Sequence, residues 1–262
     1  MKNKAVIFMM SMVLAMGSAV PAHADTEISE NKDLAENGQG VSEYANGWVT
    51  GDNDTFFYID GIKLYDAGCE IDGYWYYFDA DGVMKQNSFR QKNGQSFYYD
   101  GEGHLVLNEE LDINGKHYKF TESGAAYTGL YTDGTDTYYY QADGSRAEDA
   151  GMQLNGYWCY FQKDGKMLYS DWREKDTGYY YYDDQGHLIL NAGMKIDGYW
   201  YYLDGNGRRY ESQFRQKGAD WYYYDEEGHL VLNRDMKIGK YRYIFQNLSL
   251  IHISEPTRHS LI

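Results

Sequence analysis

The chain has 262 residues, and its thirty tyrosines, twenty-nine glycines and two prolines are an unusual mixture. A formal net charge of −16 argues against nucleic acid and anionic lipid as partners and suits cationic or neutral ligands. Tyr and Trp favour strands, Gly favours turns, and long apolar helical faces are absent, so the expected fold class is all-β.

Residues 1–24 have the pattern of an export signal. Lys2 and Lys4 make a positive start, Ala5 to Ala15 an apolar core, and Ala22-His23-Ala24 a small-x-small cleavage site. The apolar stretch is bounded by Gly17-Ser18 and Pro21 and is short for a membrane span. No later segment is apolar enough to insert in a membrane, and no Cys follows the cleavage site to carry a lipid. The expectation is a secreted product, associated with a cell surface or cell wall. Cleavage removes two lysines and no acids, leaving a formal charge of −18. Residues 25–45 are polar and acidic and are expected to be a flexible linker. Residues 46–247 form one repetitive region. From 248 to 262 the composition changes abruptly: Leu248–Arg258 resembles the translation of a common transposase sequencing adapter. The tail is therefore expected to be adapter-derived, with the natural frame cut near Asn247.

The repeat decides the fold. Ile71–Ile113 and Ile196–Ile238 align without a gap, 125 residues apart, with more than half of the positions identical. Gly156–Ile196 fits the same frame, and a weaker copy lies around Gly115–Leu154. Each block of about 42 residues splits into two units of about 21, and about ten units fit between Asn46 and Gln246. One unit reads as an aromatic strand (Trp75-Tyr76-Tyr77-Phe78), a D-x-x-G turn (Asp79–Gly82) and a short return strand from Val83. A single hairpin cannot bury enough surface to fold alone, so a solenoid of stacked β-hairpins is expected.

Two further registers recur between the aromatic strands. One holds Trp48, Phe89, Tyr131, Trp172 and Phe214, at spacings of 41 and 42 residues. The other holds Cys69, Leu111, Met152, Met194 and Met236, at the same spacings. They suggest aromatic and aliphatic versions of one site in alternate units. Cys69 then becomes a small buried hydrophobe, and Cys159, which stands where Tyr76 and Tyr201 stand, a drifted strand residue. No disulfide between them is expected.

Gly47-Trp48-Val49, the run Trp75 to Met84, and Ile113-Asn114-Gly115-Lys116 resemble the choline-binding and glucan-binding cell-wall repeats of Gram-positive surface proteins. The resemblance covers Asn46 to Gln246. It implies pockets between successive hairpins, where a ring cage holds a quaternary ammonium by cation–π attraction. Trp48 and Trp172 match the first wall of such a cage, with Phe89, Tyr131 and Phe214 as substitutes. Trp75, Trp158, Trp200 and Trp221 match the second. With an aliphatic residue at alternate units, at most every second junction forms a cage.

The implied partner is choline on cell-wall teichoic acid or a similar repetitive polymer. An α-glucan or host glycan stacked on the same rings is the alternative, as is a targeting arm for an enzyme whose catalytic domain lies beyond the truncation. Packing alone would account for any single Tyr. His104, His187 and His229 recur once per block and are expected to be strand residues, not metal ligands. Asp79–Gly82 and Asp204–Gly207 are expected to be plain turns, without the bidentate acid of a calcium loop. No catalytic constellation breaks the repeat, and no cofactor is expected.

Overall fold

The computed structural model describes residues 47–52, 54–175 and 178–246, and the backbone of Ser249–Ser254. The expected export signal, the linker through residue 45 and the tail beyond Ser254 lie outside the described residues. The described residues contain strands and turns and no helix, arranged as ten antiparallel hairpins. They fall into two compact units, one running to Thr128 and including Ala142–Ser145, the other comprising Gly129–Gln141 and all from Arg146.

The first unit holds hairpins 1 to 4. Their strands are Gly47–Thr50 with Thr55–Ile59, Ala67–Ile71 with Tyr74–Phe78, Ser88–Lys92 with Gln95–Tyr99, and Glu110–Ile113 with Lys116–Lys119. The second holds hairpins 5 to 10. Hairpins 5 to 7 pair Gly129–Asp133 with Asp136–Tyr140, Ala150–Leu154 with Tyr157–Phe161, and Asp171–Lys175 with Gly178–Tyr182. Hairpins 8 to 10 pair Ala192–Ile196 with Tyr199–Leu203, Gln213–Lys217 with Asp220–Tyr224, and Arg234–Ile238 with Tyr241–Gln246. Ser249–Ser254 adds a strand beside Tyr241–Gln246.

The long ladder of each hairpin closes at a different turn from the one the sequence suggests. In hairpin 2 it closes at Asp72-Gly73, where Ile71 pairs with Tyr74 and the two turn residues have φ of 51° and 88°. Two left-handed residues make the turn whose twist matches the strands, which selects Asp or Asn followed by Gly. Asn93-Gly94, Asn114-Gly115, Asn155-Gly156 and Asp197-Gly198 repeat it. The D-x-x-G segment is a second turn. The Asp79 carboxylate accepts the N–H groups of Asp81 and Val83 at 3.0 and 2.9 Å, and the chain returns for one bridge, Phe78 with Met84. The return is short because its backbone bonds to the preceding hairpin: Met84 N–H donates to Thr55 C=O at 2.8 Å. Leu105 bonds Trp75 in the same way, as do Leu188 with Trp158, Arg209 with Tyr179 and Leu230 with Trp200. The D-x-x-G turn is thus the link between hairpins.

The core lies at or beside the end of each aromatic strand. In the first unit Phe78 and Phe120 are essentially inaccessible and Tyr99 is buried; in the second Phe161, Leu203 and Phe245 are essentially inaccessible and Tyr140, Tyr182 and Tyr224 are buried. The alternation of Phe or Leu with Tyr gives the core the same two-hairpin period as the rest of the chain. Gly82 lets the link pass close: at its φ of 73° a Cβ would stand 2.3 Å from Lys63 Cε and 2.7 Å from the Leu64 carbonyl oxygen.

Two outcomes follow for stability. Phe161→Ala, at a position of zero exposure, is expected to cost about 3–5 kcal/mol in denaturant unfolding, whereas Tyr157→Ala at 55% exposure should cost well under about 1. Burial pushes the Tyr99 and Tyr224 phenols up to about 12. A raised folded value favours the protonated native state, so this stability is fully present below about pH 10 and lost as pH rises toward about 12. Unfolding midpoints measured between about pH 9 and pH 12 should fall across that window.

Candidate ligand-binding junctions

A left-handed residue opens most hairpins: Asp66, Asn87, Asp149, Ser170, Asn191, Ser212 and Asn233 all have φ between 44° and 48°. Counting from it aligns the repeats residue by residue. The second position after it holds Phe89, Trp172 and Phe214 in odd hairpins, and Gly68, Gly151 and Gly193 in hairpins 2, 6 and 8. The third holds Arg90, Arg173 and Arg215 in the same odd hairpins, and Cys69, Met152, Met194 and Met236 in even ones. The aromatic and aliphatic series are therefore adjacent positions on opposite faces of the strand, not two versions of one site. Spacings of 41 and 42 residues cannot detect a one-residue slip, yet that slip reverses the face.

The same count corrects Tyr131. Leu130 pairs with Tyr139 as Phe89 pairs with Tyr98, and Tyr131 pairs with Tyr138 as Arg90 pairs with Phe97. Leu130 fills the aromatic slot of hairpin 5, and Tyr131 faces the other way. Trp48, paired with Phe57, keeps its place in the series.

Each true member of the series stands in a three-ring cluster. Trp48 lies 4.8 Å from Phe57 across the hairpin and 4.8 Å from Tyr76 of hairpin 2, both edge-on. Phe89 lies 4.9 Å from Tyr98 and 5.0 Å from Tyr118 of hairpin 4. Trp172 lies 5.0 Å from both Tyr181 and Tyr201 of hairpin 8. Phe214 lies 4.7 Å from Tyr223 and 5.1 Å from Tyr243 of hairpin 10. The aliphatic series packs in the same places: Leu111 shares the buried cluster of Phe89, and Met236 that of Phe214. At the junction of hairpins 5 and 6 the corresponding residues are Leu130, Tyr139 and Cys159, so two of the three rings are missing there.

The even junctions are built differently. Gly68 and Gly193 place no ring at this position, and an arginine of the next hairpin lies over the tyrosine beside it. The guanidinium carbons of Arg90, Arg173 and Arg215 stand 3.7 Å from the ring centres of Tyr77, Tyr160 and Tyr202. Those tyrosine hydroxyls donate to Asp66, Asp149 and Asn191, the left-handed residues. These junctions carry their own cation.

The other expected site residues separate from the clusters. Trp75 packs with Tyr77, Phe97 and Leu105, on the strand face opposite Tyr76. Trp158 and Trp200 are 47% and 42% exposed and alternate with Cys159 and Tyr201 in the same manner. Trp221 is the exception, 6.4 Å from Phe214. In the ring clusters the place the sequence assigned to these tryptophans is taken by Phe57, Tyr98, Tyr181 or Tyr223, each directly across its own hairpin.

The recurring histidines brace the clusters. His104 stacks on Tyr74 at 3.9 Å and its Nε2 is 2.9 Å from the Tyr76 hydroxyl. His229 repeats this with Tyr199 and Tyr201, at 3.9 and 3.0 Å. Asp225, Glu227 and His229 bring potential ligand atoms within 4.8 Å of one another, but this is a turn whose histidine already faces Tyr201. Both cysteines are free thiols; burial raises Cys69 to about 12 and also pushes Cys159 up.

Residues 69–109 match the family model of the choline-binding repeat, and residues 195–208 match that of a cell wall binding repeat. Of solved structures, the choline-binding domain of CbpL from Streptococcus pneumoniae is 20% identical, with a TM-score of 0.55 over 71% of this chain and 97% of that one. Choline binding protein F from the same organism is 19% identical, with a TM-score of 0.47 over 78% of this chain and 92% of that one. The modular autolysin LytC, also from S. pneumoniae, is 20% identical at a TM-score of 0.36, over 81% of this chain and 48% of that one. No curated protein matches the chain in sequence. The CbpL likeness agrees with the tandem-hairpin fold.

If the arginines stabilise the even junctions, Arg90→Met should lower the stability of the first unit by about 0.5–2 kcal/mol. Differential scanning calorimetry with Ser88→Ala as a neighbouring control would measure it.

Proposed function

We propose that this array, whose repeats belong to the choline-binding repeat family, fastens a secreted protein to choline-bearing polymers of a bacterial cell wall and is itself non-catalytic. The three-ring clusters carry the reading. A quaternary ammonium has no hydrogen to donate, so a site for it is recognised by ring faces and by exclusion of water. Trp48, Phe57 and Tyr76 offer such faces at a half-open corner, with Trp48 40% exposed. The formal charge of −16 favours approach of a cation over a phosphate. Several weak sites on one chain gain strongly on a polymer that repeats its ligand, on the order of a hundredfold or more.

A second reading, polysaccharide binding, rests on a different observation. Trp158 and Trp200 stand exposed away from the three-ring clusters, as flat platforms on which sugar C–H faces can stack. The two readings separate by mutation. For the first, Trp48→Ala with Phe89→Ala should weaken retention on a choline-mimicking amine resin at least tenfold, and free choline should elute the parent. For the second, Trp158→Ala with Trp200→Ala should abolish glucan pull-down and leave amine retention intact. A parent protein that ignores the amine resin contradicts the first reading.

A further inference from the structure

Three of the four complete ring clusters can be compared at a position that no aromatic pattern draws attention to, and they differ there. It is the second residue after the turn that follows each hairpin, the residue that bonds back to the preceding hairpin. At the first cluster it is Met84, whose N–H donates to Thr55, and at the second Ala126, whose N–H donates to Ser96. At the cluster of Trp172, Tyr181 and Tyr201 it is Arg209, whose N–H donates to Tyr179. The guanidinium carbon of Arg209 lies 5.1 Å from the Trp172 ring centre, 5.8 Å from that of Tyr201 and 4.2 Å from that of Tyr179. Its side chain is only 12% exposed. Glu211 holds it there, accepting from Nε at 2.9 Å with a second guanidinium nitrogen at 2.8 Å. Gly228 of the next turn is also shaped to it: a Cβ there would stand 2.7 Å from Arg209 Cδ and Nε.

We infer that Arg209 is a resident cation that occupies the ring cluster of Trp172, Tyr181 and Tyr201 and closes it to quaternary-ammonium ligands. The inference rests on the cation-binding reading above and narrows it to particular junctions. A planar cation already lies over two of the three walls within the roughly 6 Å reach of cation–π attraction. A second cation would have to displace it from Glu211 or sit beside it against like-charge repulsion. The even junctions show that this chain uses arginine in this role elsewhere, with Arg90, Arg173 and Arg215 at 3.7 Å. Ring count alone therefore overstates the number of ligand sites. With Leu130 and Cys159 replacing rings at the third odd junction, the open clusters with all four positions described are the first two.

The test is the stoichiometry of choline by isothermal titration calorimetry on the full chain. Arg209→Met copies the residue at the first cluster. It should add one equivalent to the parent count, and Trp172→Ala in that background should remove that equivalent. Arg209→Lys, which keeps the charge, should leave the parent count unchanged. Should Arg209→Met fail to fold, Arg209→Gln removes the charge while keeping a hydrogen bond to Glu211, and the same gain is expected. A parent that binds choline and loses an equivalent on Trp172→Ala overturns the inference, as does an uncharged variant that gains none. A parent and variants that all ignore choline instead remove the cation-binding reading, and this inference with it.

Discussion

A two-stranded ribbon has two faces and no interior, and that constraint governs the rest of the molecule. No hairpin here can bury its aromatic strand without a neighbour. Within each unit the neighbour is brought in by a backbone hydrogen bond at a fixed place, from the second residue after the turn that follows a hairpin to the preceding aromatic strand. That bond sets the stagger of successive hairpins. It places Phe78, Phe120, Phe161 and their counterparts in the core, and the second residue of each odd hairpin that carries a ring against the third residue of the next aromatic strand. The ring clusters are a consequence of stacking before they are anything else, and the proposed use for a ligand would draw on rings already held in place.

Charge completes the pattern. Rings brought together in an acidic chain attract cations, and the chain meets that attraction in two ways. Where glycine vacates a ring position, an arginine of the next hairpin covers the face of a tyrosine whose hydroxyl donates to the acid or amide of the left-handed residue. At the Trp48 and Phe89 clusters the position that could cover the rings holds Met84 and Ala126, and at Trp172 it holds Arg209, which fills it. The two-hairpin period is thus largely an alternation between arginine-covered junctions and ring clusters.

The sequence showed the all-β class, the ten units and the two-unit period plainly, because each rests on repeated residues at repeated spacings. It misplaced the hairpin turn, since D-x-x-G is the more conspicuous signal and the two-residue Asp-Gly or Asn-Gly turn is short. It put Tyr131 in the series that Leu130 occupies, and treated Trp48 and Cys69 as versions of one site, because a one-residue slip changes a strand's face while leaving the spacing almost untouched. Trp75, Trp158 and Trp200 were assigned as cage walls by the family resemblance, yet strand alternation turns them away from Tyr76, Cys159 and Tyr201. The positive-φ residues Asp66, Asn87 and Ser170 carry the correct register, and their small polar side chains at a regular interval were the available signal.

The most direct test of the account is an indole N–H NMR titration of the chain with choline, following its six tryptophans separately. The expected result is that the Trp48 signal moves saturably while those of Trp158 and Trp200 stay in place. Saturable movement of Trp158 and Trp200 with a stationary Trp48 would contradict the assignment of the ligand to the three-ring junctions.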